Sequence, residues 1–279
     1  MASVSGPVPK KSRRAAMPVL DRAAIERALN GTRLTVEVAD AIDSTSSELL
    51  RRAASMDIHK HLLVAELQSA GRGRRGRSWL ALAGGSLSFS IGWRFEQPAA
   101  RLGGLPLAVG VALARALDAA GFVGIELKWP NDLVHRWRKL GGILIEVSGD
   151  SLGPTLAVVG VGLNVRISAA RRRQIGVPVT DLASISQATE VDRNAVLACM
   201  AAELAALLER YANEGFAAFR SGWRARDALR NRRVEVLVPD GGAITGVALG
   251  VDADGALIVR RGDQKLRFFN AEVSVRRAR

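Results

Sequence analysis

The chain of 279 residues has little of what several function classes require. Cys199 is its single cysteine, so no intramolecular disulfide can form, and the composition suits a reducing compartment such as the cytoplasm. The three histidines, His59, His61 and His135, lack the cysteine or carboxylate spacing of a structural metal site. No apolar run reaches the ~18 residues of a membrane span. No apolar stretch follows the basic N-terminal residues, as a secretory signal would need. A G-x-x-x-x-G-K-[ST] phosphate loop, a G-x-S-x-G elbow and internal repeats are all missing. Lysine is scarce as well: six stand against 34 arginines. Lys128 and Lys139 therefore stand out as compact point charges in a chain that otherwise uses guanidinium forks.

What is present excludes a disordered chain. Hydrophobic residues make up 48% of the sequence, enough for a substantial core. The net charge of +13 favours anionic partners, whether nucleic acid, nucleotides or acidic proteins, without choosing among them. Residues 1–17 carry Lys10, Lys11, Arg13 and Arg14 and no acid, and read as a disordered basic tail.

Periodicity places a helix near 18–30, closed by Asn30-Gly31, and a strand near 33–38. A single helix there is too little for a helix-turn-helix unit. Asp43-Ser44-Thr45-Ser46 reads as a loop feeding a helix N-terminus. Residues 61–67 form a buried strand. Residues 87–95 alternate, with Leu87, Phe89, Ile91, Trp93 and Phe95 on one face and Ser88, Ser90, Gly92 and Arg94 on the other, which predicts a half-buried strand. A helix over 105–119, strands near 125–128, 142–147 and 155–165, and a long helix over 193–211 follow. Its stripe is Val196, Met200, Leu204, Leu207, Leu208 and Tyr211, and Cys199 reads as a packed core thiol. After residue 230, four or five short strands separated by Asp-Gly and Gly-Asp turns read as a small β-barrel.

Three loops carry the chemistry. GRGRRG at 71–76 formally matches G-x-G-x-x-G, but it leads through Gly84-Gly85 into an alternating strand and opens no helix, which excludes a dinucleotide fingerprint. Its arginines suit either a flexible nucleic-acid contact or one specific anion held against glycine backbone. KWPND at 128–132 places an amide and a carboxylate past a strand end, as a hydrated Mg²⁺ carrying phosphate would want, or as an ordinary turn would. In VVGVGLNV at 158–165, Gly160 and Gly162 strip one strand face, for close approach of a ligand or for packing.

Taken in order, DSTSSEL, AELQSAGRGRRGRSW, GGSLSFSI, KWPND, KLGGILIE, GVGLNV and a terminal EVSVR resemble the motifs of biotin–protein ligases from about residue 40 onward. The resemblance implies an α+β fold: a mixed-sheet catalytic domain over 18–230, then an SH3-like barrel over 231–279. It implies ATP, Mg²⁺ and biotin, formation of biotinyl-5′-adenylate, and transfer of biotin to a lysine of a carboxylase's biotin carboxyl carrier domain. By position, Ser44, Thr45, Ser46, Gln68, Gly71, Arg72, Gly73, Arg74, Lys139 and Gly142 would bind biotin. Lys139, Arg72 and Arg74 would be catalytic. Trp129, Asn131, Asp132, Asn164, Glu272 and Arg276 would serve ATP, with Asp132 on the metal. Ser46 stands where the family often has asparagine, and Asn270-Ala271 where a glycine often precedes the terminal glutamate. The N-terminal winged helix of some bacterial members has no counterpart in this sequence, so neither specific DNA binding nor membrane association is expected, and a monomer or weak homodimer is. A lipoate–protein ligase on a related scaffold, and a basic nucleic-acid-binding protein, are the rival readings.

Overall fold

The computed structural model describes residues 19–149, 152–237 and 242–269, and the backbone alone of 274–277. The tail expected over 1–17 lies outside the described residues. Helix α1 (Arg22–Ala28) is capped by Asp21, whose carboxylate accepts from Ala24 N–H at 3.1 Å. Strand β1 (Thr35–Ile42) begins and ends later than its apolar pattern predicts. Ser44 caps α2 (Thr45–Arg52), which carries Glu48 in its first turn and Arg51 and Arg52 in its last, both favourable to the helix dipole.

β2 (His61–Gln68), β3 (Ser86–Phe95), β4 (Glu126–Lys128), β5 (Asp132–His135), β6 (Arg138–Gly149) and β7 (Thr155–Asn164) complete a seven-stranded sheet, with α3 (Leu105–Ala119) between β3 and β4 in the chain. Its order is β1-β2-β3-β7-β6-β5-β4; β1 and β2 are parallel and every other pair is antiparallel. KWPND does not simply end a strand. Trp129-Pro130-Asn131 is the turn of the β4–β5 hairpin, and Asp132 opens β5. The short helices α4 (Ala169–Gln174) and α5 (Leu182–Ser186) follow β7. Then come α6 (Arg193–Glu214) and α7 (Arg220–Arg226). The apolar pattern predicts only α6 among these, because α4, α5 and α7 are too short to show a period.

One sheet face carries the main core. Leu87, Phe89, Ile91, Trp93 and Phe95 of β3 and Val159, Val161 and Leu163 of β7 pack there with α3 and α6. α3 is apolar nearly all round because it is buried nearly all round. The α6 stripe is buried as its spacing predicts. Cys199, however, is exposed: it lies one residue before Met200, turned off that stripe, so the core-thiol expectation fails. The other sheet face is covered in part by α2 and a small cluster of Leu49, Ile58, Leu63 and Val158. This second cover corrects the half-buried reading of β3, whose Ser88, Ser90 and Gly92 are also buried. Arg193, 3% exposed, pins the start of α6 to β2 through both carboxylate oxygens of Glu66, each at 2.8 Å. Burial is the largest single influence on the Glu66 carboxyl and pushes it up, but the hydrogen bonds from Arg193 and the Leu20 N–H and the Arg193 charge together outweigh it and hold the group below its ordinary range. Among the described residues no helix is long and apolar enough to cross a membrane.

β8 (Arg233–Leu237), β9 (Ala243–Val251), β10 (Leu257–Arg261), β11 (Gln264–Phe268) and β12 (Ser274–Arg277) form a second, antiparallel sheet of order β11-β10-β9-β8-β12. Among the described residues no pairing joins β11 to β12, so the expected barrel appears here as an open five-stranded sheet. It docks on the larger unit through Trp129, whose indole N–H donates to Gly255 O at 3.0 Å. Gly255 (φ +81°) allows that turn to lie directly on Gly104.

Asp227 sits at this junction. One carboxylate oxygen accepts from Leu229 N–H at 2.9 Å, while the other is buried without a partner among the described residues. Burial raises its pKa to about 6, against the hydrogen bond from Leu229 and the charge of Arg230. A carboxyl raised on folding destabilises the fold where it is ionised, above that pKa, and not below the pKa of the unfolded chain. Asp227→Asn should therefore stabilise the protein by on the order of 1–2 kcal/mol at pH 7.5. Urea unfolding should show that advantage shrinking towards zero by pH 4.

Candidate active site

The sheet face under α2 has a floor almost without side chains. Register places Ser88 and Ser90 of β3 opposite Gly162 and Gly160 of β7. Those glycines lie opposite Gly142 and Leu144 of β6, and Gly142 opposite Asp132 of β5. The bareness is required by close approach. A Cβ on Gly160 would collide with Ser46 Oγ, and one on Gly162 with the indole ring of Trp79.

At one end of the floor, the first turn of α2 supplies a buried chain of hydroxyls. Thr45 N–H and Oγ1 reach Gln68 Oε1 at 2.7 and 3.1 Å. Ser90 Oγ lies 2.8 Å from Thr45 Oγ1 and 3.0 Å from Ser46 Oγ, joining strand to helix. Ser44 is buried as the cap, with its Oγ accepting from Ser47 N–H. Among the described residues, two buried polar atoms on this face, Ser88 Oγ and Trp79 Nε1, have no partner.

The arginine loop folds back on itself over the floor. Gly73 N–H donates to Arg77 O at 2.7 Å, and Trp79 N–H to Gly71 O at 2.8 Å. No Cβ fits at Gly71, where Trp79 O crosses. Between this loop and Leu144 and Glu146 lies a cleft of about 420 Å³. Arg72 spans it, pairing with Glu146 at 2.8 Å and donating to Ser47 Oγ at 3.3 Å. Arg74 donates to Asn131 Oδ1 at 3.2 Å, and its pKa is lowered chiefly by burial. Its guanidinium remains charged, as arginine does throughout the physiological range.

At the far end, Lys139 Nζ lies 2.6 Å from Asp132 Oδ1 and 6.0 Å from the centroid of the Trp79 ring. Asn131 ties the β4–β5 turn to β6 through its amide, which donates to Ile143 O at 2.7 Å. The structure thus gathers Ser44, Thr45, Ser46, Gln68, Gly71, Arg72, Gly73, Arg74, Asn131, Asp132, Lys139 and Gly142 around one face. Two others are engaged elsewhere. Trp129 turns its N–H to Gly255, and the Asn164 amide donates to Lys139 O and Thr180 O at 3.4 and 3.1 Å. Glu272 lies outside the described residues, and for Arg276 only the backbone, in β12, is described. Among the described residues no group of three His, Cys, Asp or Glu side chains could by itself hold a metal ion.

Comparison with known proteins decides the family. Residues 38–164 match the model of the biotin/lipoate A/B protein ligase family, and residues 231–276 that of the biotin protein ligase C-terminal domain. The chain is 36% identical over 245 residues to the bifunctional ligase/repressor BirA of Escherichia coli, covering 88% of this chain and 75% of that one. This chain belongs to the biotin/lipoate A/B protein ligase family. It is also 35% identical over 232 residues to the biotin–[acetyl-CoA-carboxylase] ligase of Mycobacterium tuberculosis, covering 81% and 84% of the two chains. Among solved structures it resembles the biotin protein ligase from Aquifex aeolicus in complex with biotin and ATP. That match has a TM-score of 0.73 and 28% identity, over 88% of this chain and 99% of that one.

Against the family frame, sequence reasoning misses Ser90, Trp79 and Glu146 as members of the site. All three stand inside the quoted motifs, but Ser90 reads as a solvent-facing strand residue until α2 is seen to cover it. Within this floor, Gly160→Ala should destabilise by about 1–3 kcal/mol through overpacking. Adding Ser46→Ala, which removes the clashing hydroxyl, should recover most of that loss in urea unfolding.

Proposed function

We propose that the protein is an ATP-dependent biotin–protein ligase. It activates biotin as biotinyl-5′-adenylate and transfers it to a lysine of a carboxylase's biotin carboxyl carrier domain. The observation that carries this reading is the bare glycine–serine floor, lidded by the arginine loop and ended by Lys139. The match of residues 231–276 to a domain named for biotin ligases supports biotin over lipoate.

In the first step a biotin carboxylate oxygen bonds to the α-phosphorus of ATP and pyrophosphate leaves. An anion attacks an anion there, so preorganised cations are the main catalytic resource. Arg72, Arg74 and Lys139 serve that role in this reading. Each holds an acceptor of the chain itself, Glu146, Asn131 and Asp132 respectively, that an incoming oxyanion would replace. The hydroxyl and amide groups of Ser44, Thr45, Ser46, Ser90 and Gln68 provide donors and acceptors for a polar heterocycle. Mg²⁺ would enter with the nucleotide and offset phosphate charge, and Asp132 is the carboxylate among the gathered residues that would hold it. Lys139 stays on the acyl phosphate while the acceptor amine attacks the biotin carbonyl and AMP leaves. The glycine-rich loop excludes water from the reactive anhydride. The net charge of +13 suits steering toward an acidic acceptor domain.

Pyrophosphate release from ATP and Mg²⁺ should require biotin and should not occur with lipoate or without either. Lys139→Ala should lower the biotin-dependent rate by about 10²–10³-fold, the scale for loss of one oxyanion-stabilising donor. Release with lipoate alone would move the assignment to the sister activity. Near-normal release by the variant would remove Lys139 from the chemistry.

A further inference from the structure

Residues 165–230 fall between the two stretches matched by the family models. Within them one guanidinium makes an unusual set of contacts. Arg172 of α4 donates from Nε to Ile167 O at 3.3 Å, from Nη1 to Val179 O at 3.2 Å, and from Nη2 to Asp181 and to Ser184 Oγ. It therefore grips both the start and the end of the loop that runs from β7 to α5. Its partner Asp181 is 1% exposed and engaged on both oxygens. Oδ2 accepts from Ile167 N–H at 2.9 Å, and Oδ1 from Ser184 N–H at 2.8 Å as the cap of α5.

The end of the loop so fixed is the segment that holds Lys139. Lys139 N–H donates to Pro178 O, and Thr180 N–H donates to Lys139 O, both at 2.9 Å, in a one-residue parallel bridge with Val179. The Asn164 amide closes the arrangement on Lys139 O and Thr180 O. β5 flanks the same residue with an irregular register next to Leu133 and Val134, so the sheet alone pairs it imperfectly.

We infer that Arg172 is a positioning residue: by stapling the loop ends through Asp181 it locks 178–180 against Lys139 and so fixes the ammonium at the site. The inference rests on the ligase reading for its kinetic arm only. A lysine has a long flexible stem, and its head is placed only as well as its backbone is. Arginine suits the staple because one planar fork serves two carbonyls and a carboxylate together, which an ammonium cannot reproduce.

The test is Arg172→Ala, with Arg172→Lys as the milder variant that keeps the charge beside Asp181 but loses the fork. Hydrogen exchange should show the Lys139 and Thr180 amides opening at least about tenfold faster in Arg172→Ala, with the β3 amides unchanged. In biotin-dependent pyrophosphate release, kcat should fall about tenfold while KM for biotin stays within about twofold, since the α2 end of the site is untouched. Arg172→Lys should fall between, and it carries the comparison should the alanine variant not fold. A wild-type kcat, or a loss confined to KM, overturns the inference, and so does unchanged exchange at both amides. Lys139→Ala measured alongside separates the two readings. If that variant retains full activity, the assignment of Lys139 to the chemistry fails, while the exchange result still judges the staple.

Discussion

A sheet buried on both faces, yet stripped of side chains on part of one of them, is the constraint on which the rest of this structure depends. Glycine in a strand interior gives up side-chain packing and costs about 0.5–1 kcal/mol relative to alanine. Gly142, Gly160 and Gly162 place that cost on adjacent strands. The opposite face offsets it. Phe89, Ile91, Val159, Val161 and Leu163 are buried against α3 and α6, which bury nearly continuous apolar surfaces in return. The site is thus a hollow held open from behind, and the two groups that reach deepest into it, Ser46 Oγ and the Trp79 ring, each rest where a Cβ is missing.

Into this hollow the chain brings three cations without leaving them unsatisfied. Arg72 is paired with Glu146 and Lys139 with Asp132, while Arg74 meets the neutral amide of Asn131. The difference matters for exchange. A cation that already holds an acceptor of the chain gains from an arriving phosphate or carboxylate only the difference between the two partners. Burial already acts against the Arg74 charge. The neighbouring Arg75 and Arg77 act against it as well and Asp132 favours it, so an anionic ligand would add to what Asp132 already supplies.

The sequence is legible where one physical cause sets the pattern. α3 and α6 follow from their periods and α2 from its Ser44 cap; the glycines and charges of the three loops stand out, and the family resemblance is what groups them into one candidate site. It misleads where a second layer adds burial. Ser88 and Ser90 read as a wet face because serine alternates with apolar residues, and only the packing of α2 makes that face dry. Cys199 reads as buried by composition, although helical geometry turns it outward. Trp129 and Asn164 show the converse limit. Spacing brings them to the rim of the site, but their donors are taken by Gly255 and by the Lys139 and Thr180 carbonyls, contacts set by segments far away in sequence.

Those distant contacts share a logic. Asp132 and Lys139 lie on a short hairpin strand and at the start of the next, with a register irregularity between them, a weak place to hold a salt-bridged pair in one geometry. Each is secured from outside the sheet. The turn before Asp132 is hooked to the small C-terminal sheet through Trp129 and Gly255, and Lys139 is gripped by 178–180. Both hooks use backbone carbonyls as acceptors; the donor is the Trp129 indole in one and backbone N–H groups in the other. Precision at the pair is thereby delegated to two elements outside the sheet, leaving the 2.6 Å contact between Lys139 and Asp132 free to open when a stronger anion arrives.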